Sequence, residues 1–391
     1  MAALRLNTSL FLSLFMVVVR SFKFRLYPSN VQLLELGLHL RVCQLLWNLM
    51  LEFAIRFYKD FDRIPTKKCL FDFVKKQVVY SQVGQQLATR LHNALKEFAR
   101  GKRGLPRFKS LKHLKSLTYP QSGFKLLGER LNVTPFGSLK IKKHRNLFGE
   151  IKTLTIKREA SGKWHAIFVV DVEQVINKNF NPVVGVDLGL EKLATLSNGL
   201  VVENRRFFKK REFKLGLLQR RVSRKVKRSK NWRKAIRKVV LQHEKIANSR
   251  KDFLHKASSA MVNNYSTIAL ERLNVGGMSK GLFSKSLHDA GWSLFTSMLE
   301  YKAEGAGTKL VFVSANNTTQ ECSKCNMVVR KSLSQRVHTC SNCGLKMDRD
   351  LNAALNVLKK GLPAGSGNVT PVRDEASGLV DEAGNVFLQA T

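Results

Sequence analysis

Val183-Val184-Gly185-Val186-Asp187, followed by Leu188-Gly189, is a short apolar run, rich in β-branched valine, that ends in an acid. A run of that length and composition reads as a buried strand whose carboxylate emerges at a sheet edge. The chain on its C-terminal side supports a sheet. Leu193 to Ser197 and Leu200 to Glu203 are two further apolar runs joined by Asn198-Gly199, a strong short-range hairpin signal. Strand patterns return at Ser266 to Glu271 and Lys309 to Val313, with helical patterns at Leu287 to Glu304 and Asp350 to Lys360. The expected class is α/β.

Three acids fall where such a sheet would place them at a strand end or a helix start: Asp187, Glu271 and Asp350. Each has an ordinary structural reading. Asp187 could terminate its strand, Glu271 could pair with Arg272 or Lys256, and Asp350 could cap its helix together with Asp348. Taken together they match a known chemical need. Phosphodiester hydrolysis requires hard oxygen ligands for two Mg2+ ions about 3.5 to 4 Å apart. No competing catalytic set is present, since the sequence has no GxxxxGK[ST] phosphate loop, no HExxH and no GxSxG elbow.

Between the last strand and the last helix lie Cys322-x-x-Cys325 and, after fourteen residues, Cys340-x-x-Cys343. Two paired thiols at that spacing predict a four-thiolate zinc site, and four protein ligands leave no position open, so the ion is expected to be structural. His338, close by, is expected at the surface or behind the ligands rather than as a fifth ligand. Cys43 reads as a core thiol in an apolar helix, and Cys69 carries no signal.

Toward the N-terminus, Val17 to Leu26 reads as a strand, and Ser29 with Gln32 forms a capping box for a helix reaching about Tyr58. A second helical stretch runs from about Leu70 to Phe98. It is followed by a basic loop carrying Arg103, Arg107 and Lys109. From Leu131 to Val172 short alternating runs separated by Gly137, Gly149 and Gly162 predict a small antiparallel sheet or barrel. Leu10 to Val19 is apolar but lacks a small-residue cleavage site and is too short to span a bilayer; Met16 could be the true start, with residues 1 to 15 an upstream extension. With the free thiols, this points to a reducing, cytoplasmic setting and no membrane.

Charge narrows the partner. The chain holds 68 Lys and Arg against 28 Asp and Glu, a net +40, so a long polyanion is the expected partner. The densest stretch is Arg205 to Lys238, with Arg205, Arg206, Lys209, Lys210, Arg220, Arg221, Arg224, Lys225, Lys227 and Arg228 on a basic helix or helical pair. Phe207, Phe208 and Trp232 are interleaved there; base stacking is one role open to them, helix packing the more ordinary one.

These segments in combination resemble the OrfB/TnpB family of insertion-sequence proteins, relatives of the single-effector CRISPR nucleases with one RuvC domain. The matching residues are Phe22-Lys-Phe-Arg-Leu-Tyr-Pro28 with Gln32 and Trp47-Asn48; Gly185-Val-Asp-Leu-Gly189; His243-Glu-Lys-Ile-Ala-Asn-Ser-Arg250; Leu270-Glu-Arg-Leu-Asn-Val275; Asp289-Ala-Gly-Trp292 with Leu299-Glu-Tyr-Lys-Ala303; Thr319-Gln-Glu-Cys322; and Asp348-Arg-Asp-Leu-Asn-Ala-Ala-Leu-Asn-Val357. They run in order from about Val17 to Gly365. Asn326 stands where the family usually has the glycine of the first knuckle, and Thr319 replaces a usual serine.

The resemblance implies an RNase H-like (RuvC) domain with an inserted four-cysteine zinc ribbon, a small β-barrel (wedge) domain and a helical recognition lobe. The implied division is 1–15 extension, 16–29 and 116–178 wedge, 30–115 recognition lobe, 179–316 and 347–361 RuvC, 317–346 ribbon, and 362–391 a flexible tail. It further implies that Asp187, Glu271 and Asp350, not Asp348, are the three RuvC carboxylates, holding two Mg2+ ions beside one structural Zn2+. The implied activity is an RNA-guided DNA endonuclease: a guide RNA pairs with a double-stranded DNA target next to a short motif, in a prokaryotic cell, nucleoid-associated when bound. Two other functions are compatible with the same segments: a guide-independent transposition accessory, and a cleavage-inactive, RNA-guided repressor. Intact acids argue against the repressor.

Overall fold

The computed structural model describes residues 14–75, 79–176, 181–281, 283–332, 334–362 and 388–390. The chain divides into two compact units, one of residues 16–174 and one formed by 175–391 with 1–15.

The first unit opens with β1 (Leu14–Tyr27) and α1 (Asn30–Phe61). The capping box is present as expected: Ser29 Oγ accepts from Gln32 N, and the Gln32 side chain accepts from Ser29 N. The expected second helix is two, α2 (Lys67–Val74) and α3 (Ser81–Ala99). Thr66 supplies a separate cap for α2, and Gly84 of α3 lets Val74 approach to 3.1 Å of where a β-carbon would stand. Six more strands follow: β2 (Ser116–Tyr119), β3 (Phe124–Leu127), β4 (Arg130–Val133), β5 (Gly137–Lys142), β6 (Glu150–Arg158) and β7 (Trp164–Ile176).

They join β1 in the order β2-β6-β7-β1-β5-β4-β3, a sheet curled into a nearly closed barrel. Period-two patterning drives it. On β7, Trp164, Ala166, Phe168 and Val170 are buried at every second position, sharing one core with Phe24, Leu117, Leu139 and Ile156. β2 and β3 are only four residues long, too short for their alternation to stand out in the sequence.

The second unit is built on β8 (Val183–Leu188), β9 (Lys192–Leu196), β10 (Leu200–Glu203), β11 (Thr267–Glu271) and β12 (Lys309–Val313). Their order is β12-β11-β8-β9-β10. β8, β9 and β10 are antiparallel neighbours, while β11 runs parallel to both β8 and β12. Gly199, at φ +89°, makes the predicted turn between β9 and β10.

The basic stretch is a helical pair, α4 (Lys209–Ser223) and α5 (Lys230–Asn264). α6 (Val275–Met278), α7 (Ser284–Ala290) and α8 (Trp292–Ala306) precede β12; the single helix expected there breaks at Gly291, whose φ of +72° no helix interior accepts. The cysteine segment carries a small hairpin, β13 (Val337–Thr339) and β14 (Lys346–Asp348), followed by α9 (Arg349–Gly361). Of the expected tail, residues 363–387 lie outside the described residues, and β15 (Leu388–Ala390) pairs antiparallel with β10. Among the described residues no helix is long and apolar enough to cross a membrane.

Candidate active site and metal centre

β8 and β11 lie side by side in register up to the rung Val186 with Leu270, so the next residue on each strand, Asp187 and Glu271, brings two acids to the same end of the sheet. The third comes from α9. Gly185 in the middle of β8 has no β-carbon, and one added there would overlap Ala354 O and Leu358 N, so α9 rests its backbone directly on the strand. At its far end, Gly361 lies equally close to Ala269 of β11. That crossing brings Asp350, in the first turn of α9, near enough to Asp187 for its charge to act on that acid.

Asp187 and Glu271 are both buried, at 7% and 9% exposure. Burial, and then the negative charges of Glu271 and Asp350, push the Asp187 carboxyl well above the ordinary carboxylate range. Burial also raises Glu271, opposed by a hydrogen bond from the Thr318 side chain and by Lys360. Glu271 forms no ion pair among the described residues, with Arg272 and Lys256 or otherwise, and its Oε1 is buried without a hydrogen-bond partner.

The two aspartates of the Asp348-Arg-Asp350 motif have different surroundings. Asp348 caps α9, its Oδ1 accepting from Asp350 N at 2.8 Å and Leu351 N at 3.0 Å, while its Oδ2 meets Lys192 Nζ at 3.2 Å. Asp350 makes none of those capping bonds; its Oδ1 faces Nε and Nη2 of Arg349, each at 3.3 Å. Asp348 is therefore occupied by the fold, and of the two aspartates Asp350 is the stronger negative neighbour of Asp187.

Two buried carboxylates, one of them raised further by its acidic neighbours, with one buried oxygen unmatched, fit hard divalent cations. Among the described residues, the group whose ligand atoms gather closely enough to hold one ion is the four thiols.

The sulfurs of Cys322, Cys325, Cys340 and Cys343 all lie within 4.8 Å of one another. Cys322 to Cys343 is 3.6 Å and Cys325 to Cys340 is 3.5 Å. Four sulfurs about 2.3 Å from one ion form a tetrahedron with edges of about 3.8 Å, so the set fits zinc.

The two knuckles repeat one hydrogen-bond pattern. Cys322 N donates to Met327 O and Asn326 N to Cys322 O; Cys340 N donates to Leu345 O and Gly344 N to Cys340 O. Asn326 (φ +62°) and Gly344 (φ +71°) hold the equivalent left-handed position. Asparagine therefore closes this turn as glycine does, consistent with its tolerance of that region. His338 is fully buried rather than at the surface, with Nδ1 against the Lys331 ammonium, and stands outside the thiol cluster.

Of the basic residues singled out, Arg205, Arg206, Lys209, Lys210, Arg220, Arg221, Arg224, Lys225, Lys227 and Arg228 are all exposed around α4 and the start of α5, as are Arg103 and Arg107 in the first unit. Lys109 differs. Its ammonium lies 3.2 Å from the centre of the Trp47 ring, and its backbone is held by Gln44 and Asn48. Burial, and then the charge of Arg90, bring Lys109 down to about 8. It serves packing, because Trp47 offers a desolvated cation site.

Phe207 packs on Phe253, with ring centroids 5.8 Å apart, while Phe208 and Trp232 are half-buried. Cys43 is a core thiol, pushed by burial up to about 12.

Several residues had no role assigned from sequence. Asp289, in the Asp289-Ala-Gly-Trp292 motif, is buried and accepts from Phe208 N (2.8 Å), Lys209 N (3.3 Å) and Arg250 Nη2 (3.1 Å). It thus places a negative charge at the N-terminus of the basic α4. Asn352 and Asn356 are buried in α9 and hydrogen-bond the backbone around Cys322. Asparagines at i and i+4 on an otherwise apolar helix face were the available signal.

Comparison with known proteins agrees with this architecture. Residues 167–281 match the OrfB_IS605 family, described as "Probable transposase", and residues 292–357 match the Cas12f1-like TNB domain. An Escherichia coli K12 protein named "Putative RNA-guided DNA endonuclease InsQ" is 34% identical over 72% of this chain and 74% of its own length. A Streptomyces pristinaespiralis protein named "Putative RNA-guided DNA endonuclease" is 33% identical over 89% of this chain and 90% of its own. Among solved structures, Cas12f1 in complex with sgRNA and target DNA superposes with a TM-score of 0.54 at 14% identity, over 87% of this chain and 98% of that one, a likeness of fold. The chain belongs to the OrfB/TnpB family of insertion-sequence proteins, with a TNB domain of the Cas12f type.

Proposed function

We propose that this protein is an RNA-guided DNA endonuclease of single-RuvC type that cuts beside a short target-adjacent motif. The observation that carries the reading is that Asp187 and Glu271 end two parallel strands side by side and buried, with Asp350 of a helix as a further negative neighbour of Asp187. The strand order β12-β11-β8-β9-β10, with acids ending the first and fourth strands of the chain order, is that of an RNase H-like sheet. Residues 179–316 and 347–361 then make up the nuclease domain around the ribbon of 317–346. Residues 16–29 and 116–178 form the wedge, 30–115 the recognition lobe and 362–391 the tail. Guidance by RNA is supported by the two relatives so named.

Asp187, Glu271 and Asp350 would hold two Mg2+ ions, which when bound supply water activation and stabilisation of the leaving oxygen. The remaining work belongs to the chain. Asp187 and Glu271, whose burial favours the protonated form, would have to be ionised to serve as ligands. Asp348 and Lys192 fix the start of α9, and Arg349 balances the charge of Asp350. The four thiols would hold one Zn2+ with no coordination position open, as a structural ion. The exposed cations of α4 and α5 would grip phosphates without reading sequence; pairing with the guide reads the target.

Sequencing the RNA that co-purifies with the protein, then challenging the complex with a randomised target library and Mg2+, tests this. One defined RNA, cleavage at sites it matches, and loss of cleavage but not of RNA binding in Asp187→Ala are the expected results. Random bound RNA, or an Asp187→Ala protein that cuts at the wild-type rate, would refute it.

A further inference from the structure

The segment Thr318-Thr319-Gln320-Glu321-Cys322-Ser323 runs from the end of the sheet into the first cysteine knuckle, and it touches both halves of the acid site. At its start, Thr318 is 2% exposed; its hydroxyl donates to Ala315 O at 3.2 Å and stands close enough to the Glu271 carboxylate to favour its charged form. A hydroxyl donates one proton, and an ionised acceptor binds it more strongly than a carbonyl. Thr318 is thus placed to turn its hydroxyl from Ala315 O to Glu271 once that acid is charged.

The same segment hangs from α9. Asn356 Nδ2 donates to Thr318 O at 2.9 Å and to Glu321 O at 2.7 Å. Asn352 Nδ2 donates to Glu321 O at 2.7 Å, and its Oδ1 accepts from Ser323 N at 2.9 Å. Lys360 adds an ion pair to Glu321 at 3.0 Å. Both asparagines are buried, at 0% and 3% exposure, in the helix whose first turn carries Asp350. A buried amide with its bonds made is rigid, because breaking any of them strands a polar group away from water.

Resting on the nuclease reading of Asp187, Glu271 and Asp350, we infer that Thr318, Asn352 and Asn356 are positioning residues: through the 318–323 segment they hold Glu271 at a set separation from Asp350. None of the three is a ligand. Thr318 orients one carboxylate directly, and the asparagines keep its backbone fixed to the helix bearing the other. Residues that orient metal ligands typically matter about 10- to 100-fold in metal affinity or activity when replaced. The cost of losing Thr318 should fall on cation binding more than on global stability, since valine keeps the volume and gives up only the bond to Ala315 O.

The test uses the full-length protein, with Mn2+ binding followed by electron paramagnetic resonance and by calorimetry. The wild type should bind Mn2+ in a manner abolished by Asp187→Ala. Thr318→Val should weaken that binding about tenfold or more while zinc content holds and the fold is kept, and Thr318→Ser, which keeps the hydroxyl, should restore it. Asn356→Ala should weaken it as well with zinc retained; should that variant fail to fold, the threonine pair still decides. Unchanged Mn2+ affinity in Thr318→Val overturns this inference alone. Wild-type protein without Asp187-dependent Mn2+ binding overturns the nuclease reading and this inference with it.

Discussion

Gly185 of β8 lies directly beneath the backbone carbonyl of Ala354 in α9, with no room for a β-carbon between strand and helix. The contact explains why a glycine interrupts the apolar run Val183-Val184-Gly185-Val186. It also sets how near Asp350 comes to Asp187, because the helix carrying one acid rests on the strand carrying the other.

Gly185→Ala is expected to lift α9 and move Asp350. Overpacking a tight contact costs about 1–3 kcal/mol, so the protein should fold with a lowered melting temperature. Cleavage should fall far more than stability. Thermal denaturation measured beside the cleavage rate checks this, and full activity in the variant would show that the approach of α9 is not critical.

Asp187→Asn should stabilise the protein in the absence of divalent cations. Burial and neighbouring negative charge raise the pKa of Asp187 in the folded state, so the folded protein binds that proton more tightly than the unfolded chain does. The associated stability is present below the ordinary aspartate value and is lost as pH rises through the raised one. Melting temperatures of the two proteins should therefore diverge with increasing pH, the variant ending higher. Mg2+ should narrow the gap by stabilising only the wild type. A gap independent of pH would rule out this electrostatic origin.

Cys340→Ser should release zinc. Binding at such a site contributes on the order of 10 kcal/mol to folding of the segment that holds it. Because Asn352, Asn356 and Lys360 tie that segment to α9, its loosening should extend to the helix. Metal analysis and hydrogen exchange over residues 317–361 would reveal the loss, and unchanged zinc content with an unchanged melting temperature would contradict it.

Removing the charges of Arg220, Arg221 and Arg224 should weaken nucleic-acid binding and flatten its salt dependence, by roughly 0.7 to 0.9 in the log–log slope for each phosphate that is no longer neutralised. Lys109→Met should do the opposite. Its ammonium sits on Trp47, an interaction of about 0.5–2 kcal/mol, so stability should fall while the salt slope holds. Binding isotherms at several salt concentrations separate the two.

Much of this fold could be read locally. The hairpin at Asn198-Gly199, the capping box of Ser29 and Gln32, and the paired cysteines all appear where their spacing predicts, since each depends on residues within one turn or one knuckle. Boundaries between helices were less legible. The break between α2 and α3 needed recognition of Thr66 as a cap, and the break between α7 and α8 needed the left-handed φ of Gly291, whose neighbours Arg250 and Leu254 come from another helix.

By itself the sequence determined which residues could do chemistry: three acids at element ends, four thiols in two pairs, and a surplus of cations on one helical pair. Only the tertiary structure decided how they are used. It assigned the helix cap to Asp348 and brought the charge of Asp350 to bear on Asp187, drew Lys109 onto Trp47, buried His338 and gave Asn352 and Asn356 their partners. The reason is physical. Spacing along the chain specifies a donor, an acceptor or a charge, whereas its solvation and its partner come from segments far away in sequence that pack against it.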